Sequence, residues 1–439
     1  MDSLYEPEIL LYEAEPIVRF LCEYLRSKCP HIRRIEAVGD FRRLCETVDQ
    51  LEFLVECVKP DRLLKAIVNC PVVDQILPSG PDSIEVQLID SEAVQTGFHF
   101  RESSLRSPAF YGMSVFFKIV PHLSFGPMMW EQTGSQKHLD DIRAKLERPI
   151  PTTGFNDEME FFESLGLPWI PPELRNGRME VDWALNNSLP KLVEITDLKG
   201  DLHSHTNWTD GNASIENMVQ AAKQKGLSYL AITDHSKRVS QCNGLDEKRI
   251  LEQWTLIDKL RDTLDDPNFF VLKGIEVDIL EQGGLDLPDR ILEQADWVVA
   301  SLHFDQEQSR NRLTKRLLGA IENPNVCVIG HPTGRILPSY PPFDADWEAV
   351  FSAAAKNGCF LELNSHPRRL DLSDEFCIKA KDSGVKIVIS SDAHSTAALA
   401  LTRYGVNQAR RGTLTAADVV NTLDWQQLKA LLRNKHFNL

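Results

Sequence analysis

The chain has 439 residues, long enough for two or three domains at roughly 100–200 residues each. Hydrophobic residues make up 42% and charged residues 26%, which excludes a disordered, fibrous or membrane-embedded chain. With 48 Lys and Arg against 64 Asp and Glu, the net charge of −16 disfavours non-specific attraction to DNA or acidic lipid, so any nucleic-acid contact needs a local basic patch.

In chain order, Ile9, Leu10, Ile17, Val18, Leu21 and Leu25 recur at helical spacing and predict a first helix. Strand-like segments follow at residues 35–38, 51–55 and 84–88, and residues 155–165 again read as helix. Prolines 168, 171 and 172, with Asn176-Gly177, mark a loop. Up to about residue 195 the chain therefore reads as an α+β module with a small appendage. Beyond it, short apolar runs at 229–233, 269–272, 297–300, 326–329, 359–363 and 385–389 alternate with helical stretches at 215–225, 248–264, 310–322, 347–356 and 374–383. One more strand is expected just before His203. Repeated β-α units predict a parallel sheet, and seven strands in one domain predict a closed or nearly closed barrel. Nine cysteines without a C-x-x-C pair point to reduced thiols in a cytoplasmic protein. The acidic opening Met1–Glu6 does not resemble a secretory leader, and no run approaches ~18 apolar residues.

Nearly every barrel strand delivers a His, Asp or Glu at its C-terminal end. The runs are Asp201-Leu202-His203-Ser204-His205, Thr233-Asp234-His235, Gly274-Ile275-Glu276, Ser301-Leu302-His303, Gly330-His331-Pro332 and Ser391-Asp392-Ala393-His394. In parallel α/β barrels that rim is where sites are built. Imidazole with carboxylate suits Zn²⁺, Mn²⁺ or Fe²⁺ better than Mg²⁺ or Ca²⁺. A lone H-x-H pair is as well explained by core histidines; six strand-end motifs are not. His203, His205, Asp210, His235, Glu276, His303, His331, Asp392 and His394 make nine candidate ligands. One ion takes about four to six, so two or three divalent ions are expected, the apparatus of phosphoester hydrolysis.

These motifs resemble the PHP (polymerase and histidinol phosphatase) superfamily, in the subgroup found at the C-terminus of bacterial family X DNA polymerases. Gly244-Leu245-Asp246, Leu285-Asp286-Leu287-Pro288, Pro332-Thr333-Gly334-Arg335 and residues 367–372 extend the likeness. The resemblance implies a distorted (β/α)7 barrel over residues 196–439. It also implies one ion on His203, His205, Glu276 and Asp392, a second on Glu276, His303 and His331, and a third on Asp210, His235 and His394. Arg335, Arg368 and Arg369 are candidate phosphate contacts, because guanidinium forks match phosphate oxygens. His366 departs from the pattern, where relatives more often carry Asn; Glu362, Asn364 and His366 share strand parity. Asp234 and Asp278 read as structural hydrogen-bonders.

The first part is similar to the palm and thumb of the same polymerases: a palm-like, nucleotidyltransferase-type α+β domain over residues 1–120 and a thumb-like domain with linker over 121–195. Gly39-Asp40-Phe41-Arg42-Arg43, the segment 46–54 and Thr133-Gly134-Ser135 carry that likeness. Its departures fall on the chemistry. Gln50 and Glu52 stand where the resemblance implies an Asp-x-Asp pair, Gln87 where it implies the third carboxylate, and Asp40 where it implies a serine. Without three carboxylates to hold two Mg²⁺ ions, nucleotidyl transfer is expected to be lost. The DNA-binding and fingers regions of the family are expected to be missing. The expectation is a metal-dependent phosphoesterase acting as a 3′–5′ exonuclease in DNA 3′-end processing, a repair type of reaction. The alternatives are a phosphatase on a small, histidinol-phosphate-like monoester, and a non-catalytic nucleic-acid-binding scaffold.

Overall fold

The computed structural model describes residues 9–80, 82–89, 113–264 and 266–436. The opening segment 1–6 and His99 lie outside them. Contacts divide the chain into two compact units, Met1–Leu189 and Pro190–Leu439.

The first unit is built on a five-stranded sheet. Its strands are β2 (Ile32–Ala37), β4 (Leu51–Cys57), β5 (Val73–Leu77), β6 (Ser83–Leu88) and β7 (Ser114–Ile119), in the order β2-β4-β7-β6-β5. Only β4 and β7 pair in parallel. Alternation along these strands sends Leu51, Phe53, Val55, Val86, Val115 and Phe117 to one face. There they pack on helices Leu11–Lys28 and Pro60–Val68 through Ala14, Leu21, Leu25, Leu63 and Ile67. The other parity brings Glu52, Phe116 and Glu85 into register on the opposite face, with Gln87 opposite Ser114. Ile9 and Leu10, expected in the first helix, instead form the short strand β1 (Ile9–Leu10) against β3 (Thr47–Val48), because backbone pairing there competes with helix extension. The helix expected at 155–165 is the shorter Glu158–Ser164, which starts at Asp157, whose side chain accepts from Met159 N and Glu160 N.

In the second unit, β8 (Gly200–Asp201), β9 (Tyr229–Ile232), β10 (Phe270–Asp278), β11 (Trp297–Ser301), β12 (Val328–Ile329), β13 (Phe360–Asn364) and β14 (Ile387–Ser390) lie in sequence order. Every neighbouring pair is parallel. The ends of the sheet meet. Ser204 bridges Ala393, and His205 N–H donates to Ala393 O at 2.8 Å. The Asn421 side chain joins Gly200 O (2.8 Å) to Ile389 O (2.7 Å) and accepts from Ile389 N (3.0 Å). The result is a nearly closed seven-stranded barrel. Helices Ile215–Gln224, Glu247–Thr263, Arg310–Ile321, Trp347–Asn357 and Asp374–Asp382 follow their strands, as the periodicity predicts. Helices Thr402–Arg411 and Trp425–His436 were not anticipated.

Strand parity also fills the barrel. Leu230, Ile232, Val298, Ala300, Leu361 and Leu363 point outward to the helices. Tyr229, Ala231, Leu272, Trp297, Val299, Val328, Phe360 and Val388 point inward. Trp425 stacks on Phe270 at 4.2 Å and joins that inner cluster. Apolar packing therefore occupies one end of the barrel, and the same inward parity continues to Glu276, Glu362, Asn364 and Asp392 at the other. Among the described residues, no helix is long and apolar enough to cross a membrane.

Candidate metal centre

The strand ends place all nine candidate ligands in one cluster with Glu276 at its middle. Glu276 is buried, near the end of β10, which runs further than the expected 269–272. Its Oε1 lies 3.1 Å from His331 Nε2 and 3.3 Å from His303 Nε2. Its Oε2 lies 2.7 Å from His235 Nδ1, 3.5 Å from His203 Nε2 and 3.7 Å from His205 Nε2. One carboxylate thus faces two sets of imidazoles, one with each oxygen. Asp392 Oδ1 is 3.1 Å from His205 Nε2 and 3.6 Å from His203 Nε2. Asp210 Oδ2 is 3.4 Å from both His235 Nε2 and His394 Nε2. Three groups have donor atoms close enough to share an ion: His205, Asp210, His235 and His394; His203, His205 and Asp392; His235, Glu276 and His303. The resemblance placed His235 and His205 on one ion each; here each takes part in two groups.

The donor set fits metal ions better than it fits itself. His203 Nε2, both ring nitrogens of His205, His235 Nδ1, His331 Nδ1 and Glu276 Oε2 are buried and make no hydrogen bond. His235 Nδ1 and Glu276 Oε2 approach to 2.7 Å without hydrogen-bond geometry. Orphaned polar atoms at such density are costly unless something else is bound. Mixed imidazole and carboxylate donors suit transition-metal ions.

The field inside the cluster is strong. Burial opposes a charge on His235 and His303, but Glu276 outweighs it and raises them to about 10 and about 9. Burial, with the neighbouring His394 and His235, lowers His205 to about 3. Burial likewise works against the Asp210 and Asp392 carboxylates, yet the surrounding imidazoles hold both well below the usual carboxylate range.

A second layer aims these rings. Glu362 accepts from His203 Nδ1 at 2.7 Å and from the His331 backbone N–H at 2.6 Å. Asp278 Oδ1 lies 3.1 Å from His303 Nδ1, the role of a structural hydrogen-bonder expected for it. Asn364 donates to Asp392 Oδ2 at 3.0 Å, and Asp392 itself holds φ +53°. Asp201 accepts from the N–H groups of His203 and Ser391, tying the ends of β8 and β14 together. Gly330 is held tightly beside the cluster: a Cβ there would lie 2.4 Å from Ser301 Oγ and 2.7 Å from Val299 Cγ1. Strand parity pointed to Glu362; nothing in the spacing pointed to Cys242. Its thiol stands beside Asp210 and is pushed up to about 12 by burial and by that carboxylate.

The three expected phosphate contacts separate. Arg335 is 4% exposed and donates to the carbonyls of Arg369 (2.9 Å) and Leu370. These bonds brace the 366–372 loop. Arg368 is exposed and Arg369 half-buried, and the Arg369 charge acts on both His331 and His366. His366 Nδ1 accepts from Arg368 N–H at 3.3 Å, leaving Nε2 as the ring's donor.

On the palm-like sheet, Gln50 Nε2 donates to Glu52 Oε1 at 2.9 Å, and Gln75 donates to Gln87. Gly39 (φ +63°) sits so close to Glu52 that a Cβ would lie 2.1 Å from the carboxylate. Arg42 forks onto Glu158 (2.9 and 2.7 Å), while Arg43 pairs with Asp40 and donates to Thr133 O. Ser135 caps helix Gln136–Leu146 through His138 N.

A parallel barrel with an imidazole and carboxylate rim defines a PHP-type metal-dependent phosphoesterase, and a PHP domain model matches residues 201–366. Over 431 residues the chain is 35% identical to the DNA polymerase/3'-5' exonuclease PolX of Bacillus subtilis (strain 168), covering 95% of this chain and 71% of that protein. The chain belongs to the PolX family. A probable phosphatase of Thermoanaerobacter sp. (strain X514) is 35% identical over 247 residues, 54% of this chain and 94% of the relative. One of Caldanaerobacter subterraneus is 37% identical over 207 residues, 44% of this chain and 75% of the relative.

Proposed function

We propose that the C-terminal unit is a 3′–5′ exonuclease that trims DNA 3′ ends, using two or three divalent transition-metal ions, Mn²⁺ or Zn²⁺ with Fe²⁺ as the third candidate. The observation that carries this reading is Glu276, whose two oxygens face separate sets of imidazoles, those around Oε2 presenting unpaired nitrogens. In this reading His203, His205, Glu276 and Asp392 hold one ion, Glu276, His303 and His331 a second, and Asp210, His235 and His394 a third. Such ions lower the pKa of bound water and offset phosphate charge. The chain's own residues do the rest. Glu362 and Asp278 aim His203 and His303 inward. Arg369, with Arg368 beside it, places positive charge at the rim for the non-bridging oxygens. His366 holds a proton on Nε2, available to an oxygen of the substrate. The nine free thiols suit a reducing, cytoplasmic setting.

We read residues 1–120 as a palm and 121–195 as a thumb that no longer transfer nucleotides, ahead of the hydrolase at 196–439. The pairing of Gln50 with Glu52, and the commitment of Arg42 and Arg43 to Glu158 and Asp40, support that reading. That a probable phosphatase matches over 94% of its own length but only 54% of this chain favours one second reading, a phosphatase on a small monoester.

Metal analysis of purified protein should find two or three transition-metal ions per chain. With Mn²⁺, a labelled oligonucleotide should lose nucleotides from its 3′ end faster than p-nitrophenyl phosphate is hydrolysed; the reverse preference favours the phosphatase. His203→Ala or Asp392→Ala should abolish hydrolysis. Primer extension with dNTPs should give no product.

A further inference from the structure

We infer that the cavity opening beside His303 receives the terminal nucleoside of the strand, its base against Tyr340, while the phosphodiester to be cut lies at the metal centre. This rests on the exonuclease reading above and adds where the strand ends.

The cavity measures about 590 Å3 and shares His303 with the metal cluster, so an occupant of one adjoins the other. Its volume falls in the range of roughly 300–1,000 Å3 usual for small-molecule sites. Tyr340 is 67% exposed on its wall. The loop bearing it is braced: Ile336 and Tyr340 exchange backbone hydrogen bonds of 2.9 and 2.7 Å, and Leu337 N–H donates to Arg368 O at 2.7 Å. A large ring carried on a braced backbone yet left in water adds little to folding, and base–aromatic stacking is the contact it is suited to make. Phe343 lines the cavity as well and is fixed by stacking on Trp347 at 5.7 Å. Gly334 keeps φ +64°, and a Cβ there would lie 2.7 Å from the Phe343 ring.

Charge decides what enters. The exposed Asp305 and Glu307 also line the cavity. Asp305 lies 3.7 Å from Arg238 Nη2, which offsets part of its charge, so Glu307 carries most of the repulsion of a further phosphate, and neither carboxylate repels an uncharged nucleoside. The cavity therefore accepts the end of a strand and rejects its continuation, which selects for exonucleolytic cutting.

Stacking can be read without catalysis. An oligonucleotide carries 2-aminopurine as its 3′-terminal base behind a phosphorothioate linkage, and its fluorescence is followed on titration with the full-length protein as purified. Quenching is expected for the wild type and Tyr340→Phe, and its loss for Tyr340→Ala, with a thermal melt confirming that the exposed substitution folds. In turnover, the preference for a normal over an abasic 3′-terminal residue, compared as kcat/KM, should fall about tenfold in Tyr340→Ala, carried by KM. Glu307→Gln should raise cutting at internal linkages relative to the terminal one. No quenching by the wild type, or equal quenching by Tyr340→Ala, overturns the inference. Quenching that depends on Tyr340, with no nucleotide released, would instead overturn the exonuclease reading and leave the subsite standing.

Discussion

Glu362 receives an imidazole on one oxygen and a backbone N–H on the other, so each half of the carboxylate has a fixed task. Glutamine offers one acceptor and turns a donor toward the other partner. Glu362→Gln is expected to weaken metal retention by about 10–100-fold, the usual effect of losing such a partner, and chelator competition measures it. Glu158 presents the same problem in the first unit. It sits between Arg42, the fully buried Arg175 and Trp169 Nε1, with contacts of 2.6–2.9 Å. Glu158→Gln strands two guanidinium charges and should cost about 3–5 kcal/mol in denaturant unfolding of that unit. Burial pushes the Glu158 carboxyl up, but Arg175 and Arg42 outweigh it and hold it below the ordinary range. A depressed folded pKa means its stabilisation is complete above the unfolded value of about 4.3 and drains away as pH falls through the folded one. Acid titration of the wild type should show that loss, and Glu158→Gln should not.

At the scale of elements, the barrel depends on joining its first strand to its last. β8 and β14 are each short, and Asn421 spans the seam between them from outside either strand. Asn421→Ala leaves Gly200 O, Ile389 O and Ile389 N–H without their partner, at about 1–3 kcal/mol for each group left unsatisfied. Amide exchange at Ile389 should accelerate sharply while exchange in β10 and β11 changes much less; uniform acceleration would show that the seam is not separately weak. Short apolar runs made most of these strands legible beforehand, and the helical stretches between them did the same for five helices. Asn421 was not legible, because it lies 221 residues from Gly200 and belongs to no periodic pattern.

For the whole molecule, metal ions that bind only the folded second unit raise its stability by mass action. Calorimetry with and without a strong chelator should therefore move one unfolding transition downward by several degrees and leave the transition of Met1–Leu189 in place. A chelator-insensitive profile would contradict the metal reading. The same experiment on His203→Ala should show a smaller chelator effect, since that variant has lost a donor to one of the proposed ions but keeps those of the others.

The sequence by itself determined the alternation of strands and helices, the inward parity that carries Glu276, Glu362 and Asn364 to one barrel end, and which residue types gather there. Those are local properties, written by side-chain period and turn chemistry. Only the tertiary structure decided that Glu276 divides its oxygens between two imidazole sets, that His235 and His205 each serve two groups, and that Arg335 is buried as a brace. It alone set Tyr340 on a cavity beside His303. The reason is physical: an atom's partners across a closed barrel depend on strand stagger and on which rotamers survive packing, and neither is encoded in any short stretch of the chain.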